Sequence, residues 1–172
     1  MTDAVSLLLL DKLREQAERL DHLLVKVPGD RLDWRPASDS LSLGELIGHL
    51  LECLAGFCAV LHGLYPESLA HFSALRKLTV NHRCPAPEAR RRVAEYLEHV
   101  EEGFLLIQPG DLTRLSPTVF VKDGEPAFIL LLGNLEHLIN HKHQLFTYLK
   151  LMGIPVATAD LYHLRAPSED HR

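Results

Sequence analysis

Four stretches of the chain repeat an apolar residue every three or four positions, with charged residues between, and each ends at a proline or glycine stop. That period is the signature of amphipathic helices burying one stripe each. The first stretch carries Leu9, Leu13, Ala17, Leu20, Leu24 and Val27, which predicts a helix over residues 4–27 ended by Pro28-Gly29. The second opens at Ser42-Leu43-Gly44-Glu45, where the serine can accept from first-turn amides while the glutamate reaches back to the serine amide. Its stripe of Leu43, Leu46, Ile47, Leu50, Leu54, Phe57 and Leu61 extends to Leu64. The third starts at Pro87-Glu88, continues through Val93, Leu97, Val100, Phe104 and Ile107, and stops at Pro109-Gly110. The fourth runs from Pro126 to Met152, with Gly153 and Pro155 as its stop.

Four such helices and no competing set of strands predict an all-α four-helix bundle with long connections. Residues 30–40 cross between the first two helices, and their Trp34 reads as a hydrophobic plug. Residues 66–85 offer one short extra helix over 69–78, and Ser116 to Glu125, alternating around Val119 and Val121, suggests a small hairpin. The long first and third connections permit a topology other than up-down-up-down and can place helices two and four side by side. With 172 residues and 47% hydrophobic content, the chain suits a single domain over residues 1–165, with 166–172 a flexible tail.

A formal net charge of -5 argues against a dedicated binder of nucleic acid or of anionic membranes. The one basic run, Arg90-Arg91-Arg92, lies on a helix where consecutive side chains diverge, so it reads as a solvated face. Cys53, Cys58 and Cys84 form no Cys-x-x-Cys pair and fit reduced thiols, the first two packed as small hydrophobes. The N-terminus lacks a basic segment, and Leu7 to Leu10 is too short to span a bilayer, so cytoplasmic residence is expected.

Among 11 histidines, His137 and His141 stand four apart on the fourth helix. At this composition about 0.7 such pairs would arise by chance, so spacing alone is a weak motif. Position adds to it. At about 100° per residue, both rings fall on one flank of the stripe Leu131, Leu138, Leu145 and Leu149. His49 sits similarly beside the stripe of the second helix. Three imidazoles on facing flanks can hold Zn²⁺ or a similar divalent ion and leave positions open for water or substrate; ordinary half-buried histidines would give the same pattern.

The segment His137-Leu-Ile-Asn-His141-Lys-His-Gln144-Leu145, followed by Tyr148-Leu149-Lys150-Leu151-Met152-Gly153, resembles the fourth-helix signature of the DinB-like superfamily. Val27-Pro28, Trp34-Arg35-Pro36, Ser42-Leu43-Gly44-Glu45-Leu46 and His49-Leu50 resemble that family's first connection and second helix. The resemblance implies a four-helix bundle with a divalent metal (Zn, Ni, Fe or Mn) held by His49, His137 and His141. His143 departs from the pattern, projects away from His141 and reads as a surface or packing histidine. Gln144, Tyr148 and Asn134 border the ligand face as candidates to orient the imidazoles or line a pocket, Glu45 is assigned to the helix cap, and Glu52 and Glu136 read as solvated.

What the resemblance implies for chemistry is a hydrolase, or a transferase using a low-molecular-weight thiol, acting on a small-molecule substrate, with dimerisation through a bundle face. Fold and triad do not choose between these reactions. A non-catalytic bundle that binds a ligand or partner, its histidines structural or vestigial, is the alternative.

Overall fold

The computed structural model describes residues 4–116 and 121–162. Four long helices dominate: α1 (Ala4–Leu24), α2 (Leu43–Leu64), α3 (Ala86–Leu106) and α4 (Ala127–Leu151), followed by a single turn, α5 (Thr158–Leu161). The expected all-α architecture is present, and its apolar stripes merge into one core. α2 packs against α3 and α4, and α1 packs against the same two helices, so the consecutive helices α1 and α2 lie diagonally and α2 lies beside α4. α2 is apolar and long enough to cross a membrane on composition alone. Its place explains the composition: Leu46, Ile47, Leu50, Leu54, Phe57 and Leu61 are all buried at the centre of the bundle.

The ends follow the local chemistry. Ser42 caps α2, its Oγ accepting from the Glu45 amide at 3.3 Å while a Glu45 carboxylate oxygen accepts from the Ser42 amide at 2.6 Å. The next two amides, which have no partner inside the helix, are taken by the first connection: Leu43 donates to the Trp34 carbonyl and Gly44 to that of Leu32. Trp34 is half-buried and lies edge-on to Tyr148 at 5.3 Å between ring centroids, so the plug seats against α4. At the far end of α4, the Ile154 amide donates to the Leu149 carbonyl and that of Gly153 to Lys150. Gly153 adopts φ 77°, the left-handed turn that closes such an end and that a side chain would oppose.

One helix boundary differs from expectation. α1 ends at Leu24, because Val27 precedes Pro28, whose ring disfavours helical geometry in the residue before it; residues 25–27 continue only as hydrogen-bonded turns. The expected short helix over 69–78 is present as 3-10 structure, Ala70–Lys77, and a second 3-10 turn, Thr79–Asn81, follows it. Its order comes from tertiary bonds: the buried Asn81 donates to the Leu75 carbonyl at 2.8 Å and accepts from the Tyr96 hydroxyl of α3 at 2.8 Å. The expected small hairpin is present among the described residues as β1 (Leu115–Ser116) paired antiparallel with β2 (Glu125–Pro126); Val119 and the C-terminal tail lie outside those residues.

Backbone approach sets where α2 stands. A Cβ on Gly48 would lie 2.5 Å from the Arg83 amide nitrogen, so only glycine admits the connection before α3 at that point. The next residue along the helix is His49.

Candidate functional site

α2 and α4 bring His49, His137 and His141 together. The Nε2 atom of His49 lies 3.2 Å from Nε2 of His137 and 3.2 Å from Nε2 of His141. Ring centroids are 4.4–5.0 Å apart and the planes are strongly tilted, so the rings converge by their Nε2 edges instead of stacking. His137 is exposed and the other two are half-buried, which leaves the cluster reachable from solvent.

The opposite edges of two rings are held. His49 Nδ1 lies 3.0 Å from a carboxylate oxygen of Glu52, one turn along α2. Glu52 was expected to be solvated; it is half-buried, braces His49, and also faces Arg76 at 3.6 Å. His141 Nδ1 lies 2.8 Å from Gln144 Oε1, Gln144 Nε2 donates to the Tyr148 hydroxyl at 3.2 Å, and that hydroxyl donates to the Leu41 carbonyl at 3.0 Å. Gln144 and Tyr148 therefore orient an imidazole, one of the two roles considered for them. Asn134 instead lies over Gly56 where α4 crosses α2. His143 is exposed and turned toward Phe146, apart from the cluster.

The braces fix the tautomers. A carbonyl oxygen only accepts, so Leu41 requires the Tyr148 hydroxyl to donate. Tyr148 can then accept from the Gln144 amide nitrogen, which turns Gln144 Oε1 toward His141. His141 must therefore carry its proton on Nδ1. The Glu52 carboxylate sets the same choice at His49. In their neutral forms, both rings aim an Nε2 lone pair at a common point. Burial holds His137 and His141 below the ordinary imidazole pKa; neighbouring rings add to the shift at His137, while at His141 the hydrogen bond to Gln144 works against it. Burial thus favours the neutral, electron-donating form of both.

Cys53 joins this cluster and was missed as a site residue. Ligating atoms of His49, Cys53 and His137 lie within 4.8 Å of one another. Cys53 is buried as expected, and burial pushes its thiol up to about 12, with the charge on Glu52 adding to the effect. A thiol so raised stays protonated at neutral pH. One signal was available: Cys53 follows His49 by four residues, the same one-turn spacing that relates His141 to His137.

A family model for the DinB superfamily matches residues 12–145, a span that includes all three histidines of the cluster. The chain belongs to the DinB superfamily. The crystal structure of a DinB-like protein from Bacillus subtilis superposes with a TM-score of 0.64 at 21% identity, covering 86% of this chain and 96% of that one. At that identity the likeness establishes the fold. No curated protein sequence matches the chain.

Proposed function

We propose that this DinB-superfamily protein is a metal-dependent enzyme whose divalent ion is held by His49, His137 and His141. The observation that carries the reading is the convergence of three Nε2 atoms, with that of His49 3.2 Å from each of the other two, while Glu52 and Gln144 hold the opposite nitrogen of two rings. In their neutral forms, with the proton on Nδ1, these rings turn acceptors toward one point, which a cation there would satisfy. The spacing also suits one: ligand atoms about 2.0–2.1 Å from a tetrahedral ion stand about 3.4 Å apart. Orientation of ligating imidazoles by a carboxylate or amide oxygen is the usual support of such sites.

A divalent ion there would supply Lewis acidity and lower the pKa of a water or thiol brought to it. The chain's own residues do the rest. Glu52 and Gln144 hold the two rings in register. Tyr148 locks Gln144 against rotation. The exposed edge at His137 leaves the approach open to a small-molecule substrate, and three neutral ligands leave the ion's charge undiminished. Hydrolysis by an activated water and group transfer to a low-molecular-weight thiol both fit such a centre. The acidic net charge disfavours nucleic acid as partner, and the buried apolar surface of α2 removes the one composition-based reason to seek a membrane.

The test is metal content. Untagged protein should carry close to one equivalent of a divalent transition metal at these three residues, and His49→Ala/His137→Ala/His141→Ala should lose it while keeping its helical signal. A folded wild-type chain that takes up no ion at these residues, and whose stability ignores chelators, would favour the non-catalytic bundle instead.

A further inference from the structure

A second group of ligating side chains stands elsewhere on the bundle and has no part in the centre just described. His99 and Glu102 lie three residues apart on α3, so both project from one side of that helix about one turn apart. His71 reaches them from the 3-10 stretch Ala70–Lys77. Ligating atoms of the three lie within 4.8 Å of one another, and His71 Nε2 is already 3.1 Å from a Glu102 carboxylate oxygen. We propose that His71, His99 and Glu102 form a second site for a borderline divalent transition metal, with Zn²⁺ the simplest member, that fastens the 3-10 segment to α3.

Three features support the assignment. The ligand chemistry is selective: two imidazoles and a carboxylate suit Zn²⁺, Ni²⁺ or Co²⁺ and not Mg²⁺ or Ca²⁺, which prefer oxygen. The positions are anchored from below. Phe72, next to His71, is buried in the core, and its ring lies 5.3 Å from that of His99 and 4.6 Å from that of His71. The backbone on both sides of the site is therefore fixed while the ligating ends stay free to adjust. Lastly, the existing contact is cheap to rearrange. The His71–Glu102 pair is 48% exposed on each side, and an exposed pair of this kind contributes little, so closing the three atoms around an ion displaces no strong interaction. Three ligands would leave the remaining positions to water.

A cation here adds a tie between α3 and a segment that also meets it through Phe72 and through the Tyr96 hydroxyl, which donates to the Leu75 carbonyl and to Asn81, so its binding should be read as thermal stability as well as stoichiometry. The test uses the full untagged chain with His49, His137 and His141 all changed to alanine, which removes the first centre, titrated with Zn²⁺ by calorimetry and by thermal unfolding. One equivalent should bind and raise the midpoint of unfolding. Adding His71→Ala/His99→Ala should abolish both effects, and Glu102→Gln alone should weaken binding by more than the 10- to 100-fold or so typical of losing an outer-sphere partner. Should the triple variant fail to fold, His71→Ala/His99→Ala in the wild-type chain should lower the Zn²⁺ stoichiometry by one equivalent. Zn²⁺ binding that is absent in the folded triple variant, or that persists undiminished without His71 and His99, overturns the proposal. Because the first centre is read separately through its own three residues, either site can fail without the other.

Discussion

The seam between α2 and α4 and the seam between α1 and α3 handle polar side chains in opposite ways. Across α1 and α3, charges meet their complements: Arg14 donates to Glu101 at 2.6 Å, and Arg90 places two guanidinium nitrogens on the Asp21 carboxylate at 2.7 and 2.9 Å. Both of these guanidinium groups have acceptors. Across α2 and α4, three imidazoles turn the same kind of atom toward one another, and the braces behind them prevent two from turning away. Neutral rings protonated on Nδ1 offer one another no hydrogen bond there. The lesson is that a site shows itself less by how many polar groups gather than by whether those groups satisfy one another.

The largest effect should come from unseating α2. Gly48→Ala places a methyl where the Arg83 backbone already stands, and should cost about 3 kcal/mol in chemical denaturation, at the upper end of overpacking effects. It should also displace His49, so metal uptake should fall together with stability. A fully stable Gly48→Ala protein with normal metal uptake would show that the α2–α4 seam does not depend on this close approach.

Next comes the relay. Tyr148→Phe removes the hydroxyl that fixes Gln144 without touching any ligand, and should weaken metal binding about tenfold, equivalent to about 1.4 kcal/mol. Competition with a chelator of known affinity measures this. An unchanged affinity would mean that His141 is oriented by packing alone.

On the α1 side, Asp160 of α5 accepts from the Ala157 amide at 2.7 Å, faces His22 at 2.7 Å and pairs with Lys26 at 3.3 Å. The backbone amide, followed by His22 and Lys26, holds its carboxyl down at about 2. A depressed carboxyl contributes stability that is fully present above its unfolded-state pKa, near 3.9, and is lost as pH falls toward the folded value. Asp160→Asn should therefore cost about 1 kcal/mol at neutral pH, after allowance for solvent screening, and the gap from wild type should close between about pH 4 and pH 2. A gap that stays constant over that range would remove the electrostatic account of this contact.

The smallest effect belongs to the satisfied seam itself. Arg90→Ala should change stability only slightly, and less at high salt, because the pair with Asp21 is exposed. Metal uptake should not change. A loss of several kcal/mol, or of metal, would erase the contrast between the two seams.

Much of this arrangement was legible in the sequence, for local reasons. The period of the apolar stripes located four helices, and the capping box at Ser42 and the Gly153-Pro155 stop placed two of their ends to within a residue. Helical geometry put His137 and His141 on one flank of α4 and His49 on a flank of α2, and the resemblance joined the three into one ligand set. What stayed hidden depends on contacts distant in sequence. The 3-10 segment over 70–81 has no strong period of its own and is ordered by Tyr96 and by the core. Glu52 looked like any exposed helix glutamate until α4 carried two histidines up to His49. Cys53 shared the four-residue spacing but looked like core, because burial and site membership coincide there.

The sharpest test of the three-histidine site is a metal-resolved crystal structure of the untagged protein, with the ion located by its anomalous scattering. A peak is expected about 2.0–2.2 Å from the Nε2 atoms of His49, His137 and His141, with Glu52 and Gln144 still on the Nδ1 atoms behind two of them. Density showing those three rings without an ion between them, in protein that carries its metal elsewhere or not at all, would contradict it.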